Sequence, residues 1–241
     1  MKKILFLLLP AAVIALIFLT AGQKGGSALF TPADSKTNQA ANEKYFIAVP
    51  ALCQFPSLPT GCESTAAAMV LQYYGESVSP EEFAADWLEK DEAFYQSDGV
   101  LYGPDPNEVF VGDPFSDTGY GCFASAIVTA VNTNSTVCSA EKQAGKTLSD
   151  ICSEYIDRDQ PVLIWVTSSM RPAKSGSSWK LENGEPFIWT AGEHCMVLVG
   201  YDDTYYYLND PQSGSTVCYE KTVVEDRYDE LGSQAALIIK K

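Results

Sequence analysis

The sequence predicts a domain of the α+β class, in which N-terminal helices pack on an antiparallel sheet. Two observations support this class. Segments with helical periodicity come first along the chain, and short β-branched, apolar segments separated by turn residues follow. The composition, 46% hydrophobic and 20% charged over 241 residues, is that of a globular chain long enough to bury a sizeable core.

The clearest helix lies within residues 58–75. Its apolar side chains recur at the i, i+3, i+4, i+7 spacing of a buried face: Ala66, Met69, Val70 and Tyr73. Gly75 supplies the left-handed residue that ends a helix, and Pro59 and Gly61 interrupt the chain upstream, so Cys62 falls at or near the first turn. There, free N–H groups and the helix dipole stabilise a thiolate, which makes Cys62 a candidate nucleophile. The alternative is a small buried cysteine of a core helix.

The other elements follow in order along the chain. Before the strand-rich half we expect a strand over residues 44–52, a helix opened by the capping box Ser79-Pro-Glu-Glu82, an irregular loop over residues 91–121, and helices over residues 122–131 and 147–158. A hairpin turn is predicted at Asn183-Gly184, and a short helix near residues 224–231. The predicted strands of this half are residues 161–166, 194–201, 205–209, 216–220 and 235–239.

Charge and N-terminal composition indicate where the protein works. The net charge of −15 argues against a nucleic-acid partner, because such partners require a basic surface. Residues 1–22 carry two lysines and then an apolar run, which is typical of a signal peptide or of an N-terminal membrane anchor through residues 4–21. Residues 23–44 have the composition of a flexible linker to one domain over residues 45–241. We therefore expect an extracellular or cell-surface monomer, exported across the cytoplasmic membrane.

Cysteine and histidine usage restricts the chemistry further. Seven cysteines occur without a Cys-x-x-Cys pair and with a single histidine, so we expect no metal site and no cofactor. An odd number of cysteines in an exported protein leaves at least one thiol free. If Cys62 is that thiol, the other six allow up to three disulfides.

His194, the only histidine, lies at the start of a predicted strand, where reactive groups collect; a core histidine is the alternative. If a three-residue loop joins this strand to the next, Asp210 lies opposite Met196 and becomes a diagonal neighbour of His194. A two-residue turn would place Asn209 on that face instead. Either side chain could orient the imidazole, but only Asp210 carries a charge that stabilises imidazolium.

The order of the cysteine, histidine and carboxylate, Cys62, His194 and then Asp210, is that of papain-like hydrolases. The amide of Gln54 could join the backbone N–H of Cys62 in an oxyanion hole, where each donor contributes roughly 3–4 kcal/mol in comparable sites. The aromatic side chains of the 175–191 hairpin would wall the cleft or, alternatively, form a small satellite core: Trp179, Phe187 and Trp189.

Several motifs occur in order over residues 45–241: Val49-Pro-Ala-Leu-Cys-Gln54, Pro59-Thr-Gly-Cys-Glu63, Tyr73-Tyr-Gly75, Pro161-Val-Leu-Ile-Trp-Val166, His194 to Asp202, and Asn209-Asp-Pro211. Together they resemble the stand-alone, exported branch of cysteine-peptidase family thirty-nine, relatives of the bacteriocin-processing double-glycine peptidases. The resemblance implies a papain-like fold and a peptide or protein substrate. It also implies roles for four residues: Cys62 as nucleophile, His194 as general base and then acid, Asp210 as orienting carboxylate and Gln54 as oxyanion donor.

The chain also departs from that family. Gln54 lies further before Cys62 than in papain-type enzymes, and Cys195 beside His194 could brace the histidine through a disulfide or act as a competing thiol. No ATP-binding cassette follows, so we do not expect the secretion-coupled role of those relatives. The prediction is a secreted or membrane-tethered cysteine peptidase. Two alternatives are acyl transfer to an amine, as in transglutaminase-like proteins, and a non-catalytic cell-surface module that binds peptide or glycan.

Overall fold

The computed structural model of the protein describes residues 44–241, which belong to one compact unit. The predicted signal peptide or anchor, and the predicted linker except Lys44, lie outside the described residues. Within residues 44–241, no helix combines the length and the apolar character that crossing a membrane requires.

Strands outnumber helices in the described residues. The strands are β1 (Tyr45–Phe46), β2 (Lys90–Asp91), β3 (Tyr95–Ser97), β4 (Val100–Tyr102), β5 (Phe110–Val111), β6 (Cys138–Lys142), β7 (Val162–Thr167), β8 (Lys174–Lys180), β9 (Pro186–Ala191), β10 (Glu193–Tyr201), β11 (Tyr205–Asp210), β12 (Ser215–Glu220) and β13 (Ala235–Lys240). The α-helices are α1 (Cys62–Tyr73), α2 (Pro80–Glu82), α3 (Ala124–Asn134), α4 (Leu148–Glu154) and α5 (Lys221–Glu230). Short helical turns of other types are Phe83–Trp87, Ile156–Arg158 and Ser168–Met170.

The main sheet has seven antiparallel strands in the order β12-β11-β10-β7-β13-β6, with β1 paired to β10 as well. Every residue of β7 is buried, and β10 is buried from His194 to Gly200. These two strands are buried on both faces, which explains their near-continuous apolar sequences. The α+β class predicted from the order of helices and strands is confirmed.

Helix α1 is the central helix of the domain, and Cys62 is its first residue. All side chains from Cys62 to Leu71 are buried. The sequence predicted that only one face of the helix is buried, whereas the structure buries every face over these residues. The helix lies on β10 and also contacts β13, α3 and the Phe83–Trp87 turn. A helix enclosed on all sides loses the polar stripe that a surface helix shows, and the run Ala66-Ala67-Ala68 permits this close packing.

The hairpin predicted at Asn183-Gly184 is confirmed: β8 and β9 flank it within a second sheet ordered β3-β4-β8-β9. The segment predicted as an irregular loop contains β3, β4 and β5, which are two or three residues long. The strand expected over residues 44–52 is shorter in the structure and ends at Phe46. Edge strand β6 was missed because its sequence, Cys-Ser-Ala-Glu-Lys, has little β propensity.

A bulge in β10 sets the register on which the site depends. Near the turn, Tyr201 pairs with Tyr206, one position away from the pairing expected for a three-residue loop. The register shifts between Leu198 and Gly200, so that Val197 pairs with Asn209 and the next residue, Asp210, falls opposite Met196. Gly200 is required here, since a Cβ at this position would lie 2.3 Å from the carbonyl oxygen of Tyr45 in the paired strand β1.

Candidate active site

The start of α1 places Cys62 against strand β10. Its Sγ atom accepts the backbone N–H of Cys195 at 3.4 Å, so the thiol lies beside the residue that follows His194. The side chain is 6% exposed. The N–H groups of a first helical turn have no acceptor within the helix, so the backbone around Cys62 retains donors near the sulfur.

His194 and Asp210 meet on adjacent strands. Nε2 of His194 lies 2.7 Å from Oδ1 of Asp210, and the imidazole is fully buried. Burial raises the pKa of the Asp210 carboxyl, but the hydrogen bond from His194, helped by the N–H of Gln212, outweighs it and holds this pKa below its ordinary value. A carboxylate only accepts, so Nε2 carries the proton and Nδ1 is the free acceptor.

The thiol and the imidazole form no hydrogen bond with each other. Cys62 Sγ donates instead to Oε2 of Glu63, at 3.3 Å. Nδ1 of His194 is buried and has no hydrogen-bond partner. The structure therefore places the candidate nucleophile beside the histidine-bearing strand, and Nδ1 of that histidine has no hydrogen-bond donor among the described residues.

Two glutamates with buried carboxyls, which sequence reasoning missed, lie beside the thiol. Glu63 is fully buried and accepts the backbone N–H of Cys122 at 2.7 Å through Oε1. The Glu193 carboxyl is buried beside it, with Oε1 lacking a hydrogen-bond partner. Neither glutamate forms an ion pair within residues 44–241. Glu63 directly follows Cys62, and Glu193 directly precedes His194. This position next to a candidate catalytic residue was the sequence signal that could have indicated a role for each glutamate in the site.

These carboxyls make the thiol harder to ionise. Burial raises the pKa of Cys62 well above its ordinary value, and the charges of Glu63 and Glu193 raise it further. The N–H of Cys195 acts in the opposite direction but does not balance them. Burial likewise raises the pKa of Glu63 to about 7 and raises that of Glu193 well above its ordinary value. The expectation that the helix N-terminus lowers the thiol pKa is wrong for this resting arrangement, because desolvation and like charge dominate.

Gln54 is buried in the loop before Cys62, where its amide nitrogen donates to the carbonyl oxygens of Leu58 and Pro59, both at 3.0 Å. Both amide hydrogens are thus committed to the loop, and Oε1 has no partner. An oxyanion role would require the amide to leave one of these carbonyls. Asn209, the alternative to Asp210, lies away from the imidazole and donates to the Val49 carbonyl at 2.9 Å.

Trp189 and Gly121 enclose the carboxyl pair. A Cβ at Gly121, whose φ is +144°, would lie 2.5 Å from Glu63 Oε1, 3.0 Å from Glu193 Oε2 and 3.1 Å from the Trp189 ring. Glycine therefore allows the backbone to touch both acids. Of the hairpin aromatics, Trp189 borders the site directly, and Trp179 and Phe187 pack together at 4.8 Å in an adjoining aromatic cluster.

The same groups are where the described chain could hold a metal ion. Cys62 Sγ and one oxygen each of Glu63 and Glu193 lie within 4.8 Å of one another. A metal bound there would occupy the thiol and so oppose nucleophilic chemistry. All seven cysteines are free thiols in the structure, so Cys195 braces nothing through a disulfide.

A helix-borne cysteine beside a strand-borne histidine, on an antiparallel sheet, is the arrangement of the papain-like class of cysteine peptidases. Residues 46–236 match the model of the Peptidase_C39 like family, and the chain belongs to that family. It is 33% identical over 218 residues to the uncharacterized protein YvpB of Bacillus subtilis (strain 168), covering 86% of this chain and 84% of YvpB. A crystal structure from Bacillus anthracis, provisionally described as a C39-like peptidase, matches with a TM-score of 0.72 at 30% identity. That match covers 83% of this chain and 99% of the other. The fold is thus α+β and papain-like.

Proposed function

We propose that this protein is a cysteine peptidase that hydrolyses peptide bonds, with Cys62 as nucleophile, His194 as base and then acid, and Asp210 as orienting group. One observation carries the proposal: a buried imidazole bound to Asp210 at 2.7 Å keeps Nδ1 without a partner, on the strand against which Cys62 lies. The hydrogen bond to Asp210 supports the proposal, because it favours the tautomer that a general base needs.

The reaction begins when the Cys62 side chain turns from Glu63 and gives its proton to Nδ1 of His194. Asp210 stabilises the imidazolium that forms. The thiolate attacks the substrate carbonyl, and the backbone N–H of Cys62 stabilises the oxyanion, joined by the Gln54 amide if it leaves its loop carbonyl. His194 then protonates the leaving amine, and water hydrolyses the thioester.

We also propose that the protein acts outside the cytoplasm, as a monomer, on a peptide or protein substrate. The two lysines and apolar run of residues 1–22 support export, with or without a remaining tether through residues 4–21. The net charge of −15 suits an exported protein and disfavours nucleic acid.

Peptide-library digestion followed by mass spectrometry tests the proposal. Wild-type protein should cleave a defined set of peptide bonds, and Cys62→Ala should abolish cleavage while the fold is retained. Cys218→Ser, which alters an exposed thiol, is the matched control and should cleave normally. Cleavage that persists in Cys62→Ala would contradict the proposal. Adding a small amine separates hydrolysis from acyl transfer, since a transferase would yield the amide product.

The resting electrostatics favour a second candidate, a non-catalytic module that binds peptide or glycan in the cleft. The raised thiol pKa and the Cys62–Glu63 hydrogen bond describe a cysteine that is not activated. If this candidate is correct, wild type and Cys62→Ala should bind the same ligands with equal affinity and neither should turn them over.

A further inference from the structure

A cavity of about 580 Å³ opens beside the loop that spans residues 112–120. Its lining includes three aromatic side chains, Phe94, Tyr120 and Trp179, and two acidic ones, Glu92 and Asp113. A cavity of this size accommodates one large side chain of a bound peptide.

The aromatic side chains form a preorganised floor. Trp179 is 4% exposed, and its indole N–H donates to the Pro104 carbonyl at 2.9 Å. The Phe94 and Tyr120 rings each lie 5.3 Å from the Trp179 ring, between centroids. Gly103 makes room for this packing, because a Cβ there would lie 2.4 Å from the Phe94 ring. The rings therefore need no rearrangement to receive an aliphatic stem or a cation.

The charge of the cavity is entirely negative. Glu92 and Asp113 line it, no lysine or arginine does, and neither acid forms an ion pair in the part of the chain that the structure describes. Asp113 accepts the backbone N–H of Phe115 at 3.2 Å through Oδ1, which leaves Oδ2 for a ligand. Carboxylates above an aromatic floor complement an ammonium or guanidinium on an apolar stem.

The loop that lines the cavity contacts the segment just before the candidate nucleophile. The Thr60 hydroxyl contacts the carbonyls of Asp113 and Ser116, at 3.3 and 2.9 Å, and both of these residues line the cavity. Thr60 is two residues before Cys62, a separation of at most about 7 Å along the chain. A peptide whose carbonyl reaches the thiol can therefore place a neighbouring side chain in the cavity.

We infer that this cavity is a substrate subsite for a lysine or arginine side chain. The inference rests on the proposed peptidase function and adds the class of side chain that the substrate carries. The ammonium or guanidinium lies between Glu92 and Asp113, and its stem lies on Phe94 and Tyr120, whose rings pack on the buried Trp179.

Matched peptides that differ only by lysine or norleucine, at each position around a cleaved bond, test the inference. Lysine at one position should raise kcat/KM about tenfold over norleucine. The double variant Glu92→Gln/Asp113→Asn should lower the ratio of kcat/KM for the lysine peptide to kcat/KM for the norleucine peptide to about one. Glu108→Gln, a neutralised carboxylate that lines a different cavity, is the control and should leave both rates unchanged. Cleavage with no basic preference at any position, or a preference that survives the double variant, would overturn the subsite.

The outcome remains decisive if the wild-type protein cleaves no peptide, which counts against the proposed function. Binding of the same peptides is then measured by calorimetry at low and high salt. Tighter binding of the lysine peptide, weakened by salt and lost in the double variant, supports the subsite independently of catalysis. Equal binding of the two peptides rejects it.

Discussion

Replacement of Glu63 by glutamine tests the electrostatic description of the site most sharply. The Glu63 carboxyl is fully buried, accepts the Cys122 N–H at 2.7 Å and accepts the Cys62 thiol at 3.3 Å. Glutamine has the same shape and keeps an oxygen for the Cys122 N–H, so Glu63→Gln removes the charge with little change in packing.

The size of the effect follows from the pKa of Glu63. Burial raises this pKa from 4.5 to about 7, and at about 1.36 kcal/mol per pKa unit the buried charge costs about 3 kcal/mol. Because the folded state binds the proton more tightly than the unfolded state, the free energy of unfolding falls as pH rises from about 4.5 to about 7. Above that range Glu63 contributes no further slope. Glutamine does not titrate, so the free energy of unfolding of the variant does not show this decrease with rising pH.

Urea unfolding of both proteins at about pH 5 and pH 8 measures the difference. From about pH 5 to pH 8, the free energy of unfolding of wild type should fall by about 3 kcal/mol more than that of Glu63→Gln. Glu182→Gln, an exposed carboxylate in the β8–β9 turn, should follow wild type at both. Parallel pH profiles for wild type and Glu63→Gln would refute the reasoning, since Glu63 would then ionise alike in folded and unfolded chains.

Three further substitutions have defined outcomes. Asp210→Asn should keep the His194 hydrogen bond but lower kcat/KM by roughly 10²–10⁴ with little change in Tm, because the charge that stabilises imidazolium is lost; an unchanged kcat/KM would exclude Asp210 from the mechanism. Gly121→Ala should lower the free energy of unfolding in urea by about 1–3 kcal/mol, since its Cβ would lie 2.5 Å from Glu63 Oε1; unaltered stability would mean that the carboxyl moves freely. Ser79→Ala should cost about 1 kcal/mol in the same assay by removing the capping box of α2, and no loss would show that the cap is dispensable.

Local chemistry explains why much of the fold could be predicted. Cys62 begins α1 because Gly61 before it has non-helical dihedrals and forms the N-cap, and the β8–β9 hairpin follows from an Asn-Gly turn. The position of Asp210 opposite Met196 matched the three-residue-loop register, although a bulge was needed to produce it. Such features depend on residues close together in sequence.

The interior of the site depends on packing between distant segments, which explains what the sequence did not reveal. Glu63 and Glu193 lie 130 residues apart and meet only because α1 packs on β10 while Gly121 leaves space between them. The prediction that the Cys62 thiolate is stabilised was based only on the N-terminus of helix α1. Desolvation and the second carboxyl, which reverse the direction of the thiol pKa, arise only in the assembled core.

The pairing of the Cys62 thiol with the His194 imidazole is the central claim, and alkylation by iodoacetamide near neutral pH tests it directly. Mass spectrometry of the digested protein follows Cys62 and the exposed Cys218 in the same sample, so Cys218 serves as an internal reference. If His194 accepts the thiol proton, His194→Ala should slow labelling of Cys62 by about tenfold or more and leave Cys218 unaffected. Equal labelling of Cys62 in both proteins would contradict the claim.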